Sequence, residues 1–150
     1  MHLNVLGLSH KTAPVTLREK FAIPEGELAI VAERVRGVGF PESFVISTCN
    51  RVELYAVGRS SGGRADLVNL FAQVANTPVA HLEDHLYFHR DQDAVVHLFR
   101  VAASLDSMVV GEPQILGQLK AAFALCRAGG VTGSTLDGVV ERAFSVAKRV

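Results

Sequence analysis

The chain has 150 residues, 49% of them hydrophobic and 20% charged, the size and make-up of one globular domain with room for a full core. Fifteen basic and fifteen acidic side chains give a formal net charge of zero, which excludes a module that grips nucleic acid mainly through phosphates and leaves only local contacts for that purpose. Charges interrupt every apolar run short of a membrane span, and Met1-His2-Leu3-Asn4 does not begin a secretory signal. Cys49 and Cys126 make no disulfide framework, and the expected compartment is the cytoplasm.

Leu3-Asn4-Val5-Leu6-Gly7-Leu8 reads as a short strand running into the polar turn Ser9-His10-Lys11-Thr12-Ala13-Pro14. Pro24 opens a helix at its first turn, where its missing N–H costs nothing. Glu25 and Glu27 suit the positive end of that helix, Arg34 and Arg36 the other end, and Gly37 and Gly39 stop it. Two strands follow, Ser43-Phe44-Val45-Ile46 and Val52-Glu53-Leu54-Tyr55-Ala56-Val57. After the break Ser60-Ser61-Gly62-Gly63, a helix over 65–75 sets Leu67, Leu70, Phe71 and Val74 on one face. Leu86-Tyr87-Phe88 is a fourth strand. The order strand, helix, strand, strand, helix, strand predicts an α+β fold of the split βαβ, ferredoxin-like kind, a layer of helices on a four-stranded antiparallel sheet. A helical C-terminal portion follows, over 91–105, 113–127 and from 134 onward. In the last helix Leu136, Val139, Val140, Ala143, Phe144 and Ala147 form the stripe and Ser134 suits the N-cap. That helix reaches Val150 without glycine, proline or cap and reads as the cut start of a longer one.

The chemistry concentrates in Ser47-Thr48-Cys49-Asn50-Arg51, the connection between the two central strands. A thiol attacks only as thiolate, and a neighbouring positive charge favours that form. Arg51 supplies such a charge or holds an anionic substrate; the alternative is an ordinary hairpin turn with an incidental thiol. Helix 91–105 buries Val95, Leu98, Phe99, Ala102 and Leu105. That puts His97 on the opposite side with Asp93, Arg100 and Ser104, either as solvated surface or as the wall of a polar cleft. Between this helix and the next, Pro113 fits a first helical position and Gln114 and Gln118 lie four apart on one face. They are suited to orienting a polar anionic group or to plain capping. His81, His85 and His89 recur every four residues but straddle a strand-like run, so no metal site is expected. No G-x-G-x-x-G follows a strand, and no dinucleotide site is expected in these residues.

Three stretches resemble the glutamyl-tRNA reductase family, specifically its N-terminal catalytic domain. They are Gly7-Leu8-Ser9-His10-Lys11-Thr12-Ala13-Pro14, Ser47 to Tyr55 around Cys49, and His97-Leu98-Phe99-Arg100-Val101-Ala102 through Gly111-Glu112-Pro113-Gln114-Ile115-Leu116-Gly117-Gln118. The resemblance implies that residues 1–150 form the glutamyl-recognition domain and that the helix from about 134 begins a longer spinal helix leading to nucleotide-binding and dimerisation domains. It implies Cys49 as nucleophile and His97 as a residue important for activity. Thr48, Asn50, Arg51, Ser107, Glu112, Pro113, Gln114 and Gln118 are implied as substrate-contacting. The implied reaction is NADPH-dependent reduction of glutamyl-tRNA to glutamate-1-semialdehyde through a cysteine thioester, the first step of tetrapyrrole biosynthesis from glutamate. The implied partners are glutamyl-tRNA, a second copy in a homodimer, and the glutamate-1-semialdehyde aminomutase downstream. By itself the chain is then expected at most to hydrolyse the ester. Two other readings of the residues are a stand-alone thiol hydrolase or acyl transferase, and a non-enzymatic ferredoxin-like ligand-binding module.

Overall fold

The computed structural model describes residues 1–59, 63–104 and 114–149. Strand β1 (His2–Ser9) is buried along almost its whole length and pairs antiparallel with both β3 (Arg51–Gly58) and β4 (Tyr87–Arg90). Strand β2 (Glu42–Ser47) pairs antiparallel with β3, and the sheet order is β2-β3-β1-β4. The expected α+β class with a four-stranded antiparallel sheet is what the chain adopts.

Helices cover both faces of the sheet, not one. On the first face lie α2 (Leu28–Gly37) and α3 (Gly63–Val74), against which Ser43 turns its hydroxyl to donate to the Ala32 carbonyl at 3.0 Å. Phe21 and Phe71 stack there with centroids 4.6 Å apart. On the second face lie α5 (Gln92–Ala102), α6 (Gln114–Ala128) and α7 (Ser134–Ala147). The register pairs Phe44 with Tyr55, whose rings stack at 4.5 Å, and Phe123 of α6 meets Phe44 edge-on at 5.4 Å. Fully burying one such side chain stabilises the fold by about 1.5–3 kcal/mol, so these contacts fix how α6 sits on β2.

Several elements differ from expectation for local reasons. Residues 15–21 form α1 (Val15–Phe21), a helix not anticipated because only Phe21 is buried and seven residues carry too little periodicity. Pro24 precedes a 3-10 turn, Glu25–Glu27, that leads into α2. Another short helix, α4 (Val79–Leu82), follows Pro78. Strand β4 lies one to two residues beyond the expected 86–88. Asp91, expected inside α5, lies just before it with a positive φ of 52° and accepts hydrogen bonds from His2 Nδ1 at 2.8 Å and Leu3 N at 3.2 Å.

The buried line of α5 is Ala94, His97, Leu98, Val101 and Ala102; it keeps Leu98 and Ala102 of the expected stripe but is rotated from Val95 and Phe99, which are only partly buried, so that His97 faces the sheet. Leu105 of the expected stripe lies outside the described residues. Ser134 does not cap α7. Gly133 occupies that position, and the Leu136 N–H donates instead to Glu42 Oε1 of β2 at 2.8 Å. A side chain 94 positions away thus satisfies an orphan helix amide and sets a carboxylate at the positive end of the helix. Glu42→Ala should lower stability by about 1–2 kcal/mol in chemical denaturation, the usual cost of losing a cap. An unchanged midpoint would show that water replaces the carboxylate.

Candidate active site

Thr48, Cys49 and Asn50 join β2 to β3. Thr48 N donates to the Arg51 carbonyl at 2.8 Å, and Thr48 Oγ1 accepts from Asn50 N and Arg51 N, both at 3.2 Å. A hydroxyl that takes up turn amides in this way stabilises a tight connection without a glycine. Two outside ties hold the turn in place. His10 N donates to the Asn50 carbonyl at 2.8 Å, and Arg18 Nε donates to the Cys49 carbonyl at 3.2 Å while its Nη1 reaches the Ala13 carbonyl at 2.6 Å. Backbone atoms carry all of these ties to Cys49. Its side chain is exposed, and among the described residues no hydrogen bond engages its thiol. Cys126, by contrast, is buried in α6, and burial pushes its thiol pKa up.

The turn projects from one end of the sheet, at the seam between the two helical layers, and Cys49 borders a space on each side. On the α6 side a cavity of about 60 Å³ is lined by Thr48, Cys49, Asn50, Arg51, Gln114 and Gln118. On the α1 side an open, mostly apolar groove of about 500 Å³ runs past Val15, Arg18, Glu19, Ala22, Ile23, Pro24 and Ser47 to the same thiol.

Beneath the cavity lies a buried polar cluster that the sequence reading did not assign. Arg51, Glu53 and Tyr55 alternate along β3, so all three face α5 and α6. The fully buried Glu53 carboxylate accepts from Arg51 Nη1 at 3.3 Å, Tyr55 OH at 2.7 Å, His97 Nε2 at 2.5 Å, and the Tyr87 hydroxyl. Burial alone would raise its pKa; contact with His97, then Arg51 and Tyr87, outweighs burial and holds it at about 2. The same burial and the Glu53 charge push the Tyr55 pKa well up, so Tyr55 stays a donor. An ionised carboxylate only accepts, which requires His97 Nε2 to carry a proton. Gly7 makes the space. It sits opposite Glu53 in the register, and a Cβ there would lie 2.8 Å from both Glu53 Cγ and the Val52 carbonyl.

Thr48, Cys49, Asn50, Arg51, Gln114 and Gln118 thus meet at one cavity. His97 does not line it. It borders a separate groove of about 410 Å³ with Lys11, His89 and Arg100, stacks on His89 at 4.7 Å, and connects to the cavity through Glu53 and Arg51. Ser107, Glu112 and Pro113 lie outside the described residues. His81, His85 and His89 fall on α4, the 3-10 turn Glu83–His85 and β4, and among the described residues no cluster of three metal-binding side chains forms. His10 was also not singled out. Its ring is half-buried beside the turn, and burial, then the charge of Arg51, lower its pKa.

Fold and site define an α+β domain that presents a cysteine at one end of its sheet, above a buried carboxylate cluster. Residues 6–150 match the family described as Glutamyl-tRNAGlu reductase, N-terminal domain. The chain is 52% identical over its full length to "Glutamyl-tRNA reductase 2" of Koribacter versatilis, covering 34% of that protein. It is 47% identical to the glutamyl-tRNA reductase of Syntrophotalea carbinolica, again over its full length and 34% of the relative. The solved glutamyl-tRNA reductase from Methanopyrus kandleri superposes with a TM-score of 0.82 at 35% identity, over 98% of this chain and 33% of that one. The chain belongs to the glutamyl-tRNA reductase family and spans about a third of the length of the relatives it matches.

The carboxylate cluster has a pH signature. Glu53 is held at about 2 against the usual 4.5, so the unfolded chain takes up this proton more readily than the folded one. The stabilisation is complete above about 4.5 and is lost as pH falls toward 2. Denaturation midpoints measured between about pH 6 and pH 3 should fall more steeply for the parent than for Glu53→Gln. Parallel acid slopes would contradict the assignment.

Proposed function

We propose that this chain carries out the acyl-transfer half of the reduction of glutamyl-tRNA to glutamate-1-semialdehyde. One observation carries the reading. The Cys49 thiol is exposed on a turn whose backbone is held by Thr48 Oγ1, Arg18 and His10, at a cavity whose other polar side chains are Thr48, Asn50, Arg51, Gln114 and Gln118. Cys49 Sγ attacks the ester carbonyl, forming the C–S bond. The C–O bond to the ribose breaks, and the thiol's proton ends on the departing ribose hydroxyl. Arg51 presents its guanidinium to a carboxylate of the glutamyl group, oriented by Glu53, while the amides of Gln114 and Gln118 complete the polar wall.

The reduction that follows uses the hydride chemistry of NADPH. Among the described residues β1 runs into the Ser9–Ala13 turn and no glycine-rich turn joins a strand end to a helix start, so a dinucleotide cradle does not fit here. These residues account for the thioester and the glutamate site.

Cys49→Ser should abolish formation of the glutamyl-protein adduct in intact-mass measurements, and Cys126→Ser should leave it in place. Adduct found on Cys126 would overturn the assignment. Arg51→Ala should weaken productive binding by roughly 10- to 150-fold, the loss of one charge-assisted hydrogen bond, with Arg51→Lys rescuing only in part. The reading of Arg51 fails if both variants distinguish glutamyl from glutaminyl esters as the parent does. His97→Ala and Glu53→Gln should slow acylation to a similar extent, since both disturb one hydrogen-bonded unit behind Arg51. A loss of about 10²–10⁴-fold in His97→Ala alone would instead assign the imidazole direct acid–base work.

A further inference from the structure

The direction in which Cys49 carries its thiol depends on the peptide planes around its Cα, and the plane that follows is pinned at both ends. Its oxygen, the Cys49 carbonyl, accepts from Arg18 Nε at 3.2 Å, and its amide, Asn50 N, donates to Thr48 Oγ1 at 3.2 Å. The next plane is held likewise, its oxygen by His10 N at 2.8 Å and its amide by Thr48 Oγ1 at 3.2 Å. Two pinned planes leave the turn little backbone freedom, and rotation about χ1 is what the thiol keeps. Thr48 acts from within the turn and His10 from the end of β1. Arg18 alone among these reaches in from α1, as a side chain 31 positions away. Its Nη1 donates to the Ala13 carbonyl at 2.6 Å, so the guanidinium spans two carbonyls as a strut. Beyond α1, Ile23 N donates to Ser47 Oγ at 2.9 Å. The excursion from His10 to Ile23 thus grips residues 47, 49 and 50 separately, with Arg18 at the residue that carries the sulfur. A helix of seven residues that buries only Phe21 adds little to the core, and its contribution falls at the turn.

We infer that Arg18 is a positioning residue of the acyl-transfer step, acting on the nucleophile through its main-chain carbonyl. The inference rests on the acyl-transfer reading above and adds to it a residue outside the polar cavity. Attack on a carbonyl requires sulfur and carbon to meet at about 3–3.5 Å with orbitals aligned, and a displacement of about 1 Å costs about 10²-fold in rate. A thiol on an unsupported surface turn would sample many directions. The two guanidinium groups at this end of the sheet therefore have different tasks. Arg51 faces the cavity from the core, while Arg18 faces the main chain from outside and keeps the Cys49 plane in place. The task suits arginine, whose donors diverge in a fixed plane; the single ammonium of a lysine cannot hold both carbonyls in the same way.

The test compares the parent with Arg18→Ala, Arg18→Lys and, as control, Arg34→Ala, which removes an exposed guanidinium bonded to Gln73 on α2. Arg18 is half-exposed on a helix that buries one residue, so its variants keep the fold. The donor is glutamyl ethyl thioester: the C–S bond to Cys49 forms and ethanethiol leaves with the thiol's proton. Acylation at saturating donor, read by intact mass, should fall about 10- to 100-fold in Arg18→Ala, while the half-saturating donor concentration stays as in the parent. Arg18→Lys should recover part of the rate, as should methylguanidine added to Arg18→Ala, and the control should match the parent. Iodoacetamide needs no aligned approach, so its alkylation of Cys49 should follow one pH profile in the parent and in Arg18→Ala. A profile displaced to higher pH in Arg18→Ala would overturn the inference, by showing that Arg18 acts on the thiolate through its charge. Parental acylation in Arg18→Ala, or a loss confined to the half-saturating concentration, would overturn it too. If the parent itself takes no glutamyl group, the acyl-transfer reading falls and amide hydrogen exchange at Asn50 decides for Arg18. Faster exchange in Arg18→Ala keeps it as the residue that fixes the Cys49 plane, and equal exchange removes it.

Discussion

The buried carboxylate of Glu53 is the constraint around which the functional end of the molecule is arranged. Left alone in the interior such a charge would be costly. Donors from two strands and a helix surround it: Arg51 and Tyr55 beside it on β3, Tyr87 on β4 and His97 on α5. Satisfying it therefore fixes where β4 and α5 lie against the centre of the sheet. Gly7, on β1 between β3 and β4, contributes by having no side chain. The cluster also aims the guanidinium of Arg51 from below, so the charge that lines the cavity beside Cys49 is oriented by the core and not by the surface turn.

Above this cluster the architecture separates rigidity from reactivity. Thr48 Oγ1, the Arg18 guanidinium and the His10 amide hold the backbone of the turn, while among the described residues the thiol at its tip takes no part in the bonding. Because the turn closes a hairpin at the sheet end, it falls between two helical layers and opens to both. The polar side is built from β3 and α6, the apolar side from α1 and the chain that follows it.

How much of this the sequence disclosed depends on the range of the interaction involved. Strands β1, β2 and β3 and helices α3, α6 and α7 carry their own periodicity and were legible to within a residue or two at most ends. Helix α1 was not, because one buried residue, Phe21, leaves no period to detect. The face of α5 was misjudged for a deeper reason. Counting apolar residues selects Val95, Leu98, Phe99 and Ala102, but His97 is drawn inward by a carboxylate on a strand 44 positions earlier. Similarly, the cap of α7 is a glutamate on β2, not the adjacent serine. The residues gathered at Cys49 were readable as a contiguous motif, and Gln114 and Gln118 by helical spacing. The signal for Glu53 was present in the alternation Arg51, Glu53, Tyr55 along a strand otherwise apolar on both faces.

The way α6 turns into α7 has an effect beyond the site. Strand β2 is an outer strand of the sheet, the kind of border that invites a foreign strand to pair with it. Here the connection between the two helices lies against that border, with Ser43 N donating to the Val131 carbonyl at 2.8 Å and Glu42 turned in toward α7. The opposite border, β4, is only four residues long and bends away at Asp91. A sheet whose end at Cys49 opens to both helical layers is thereby guarded along both of its sides, so access to the chain is directional: a partner can approach the strand ends without finding a strand edge on which to polymerise.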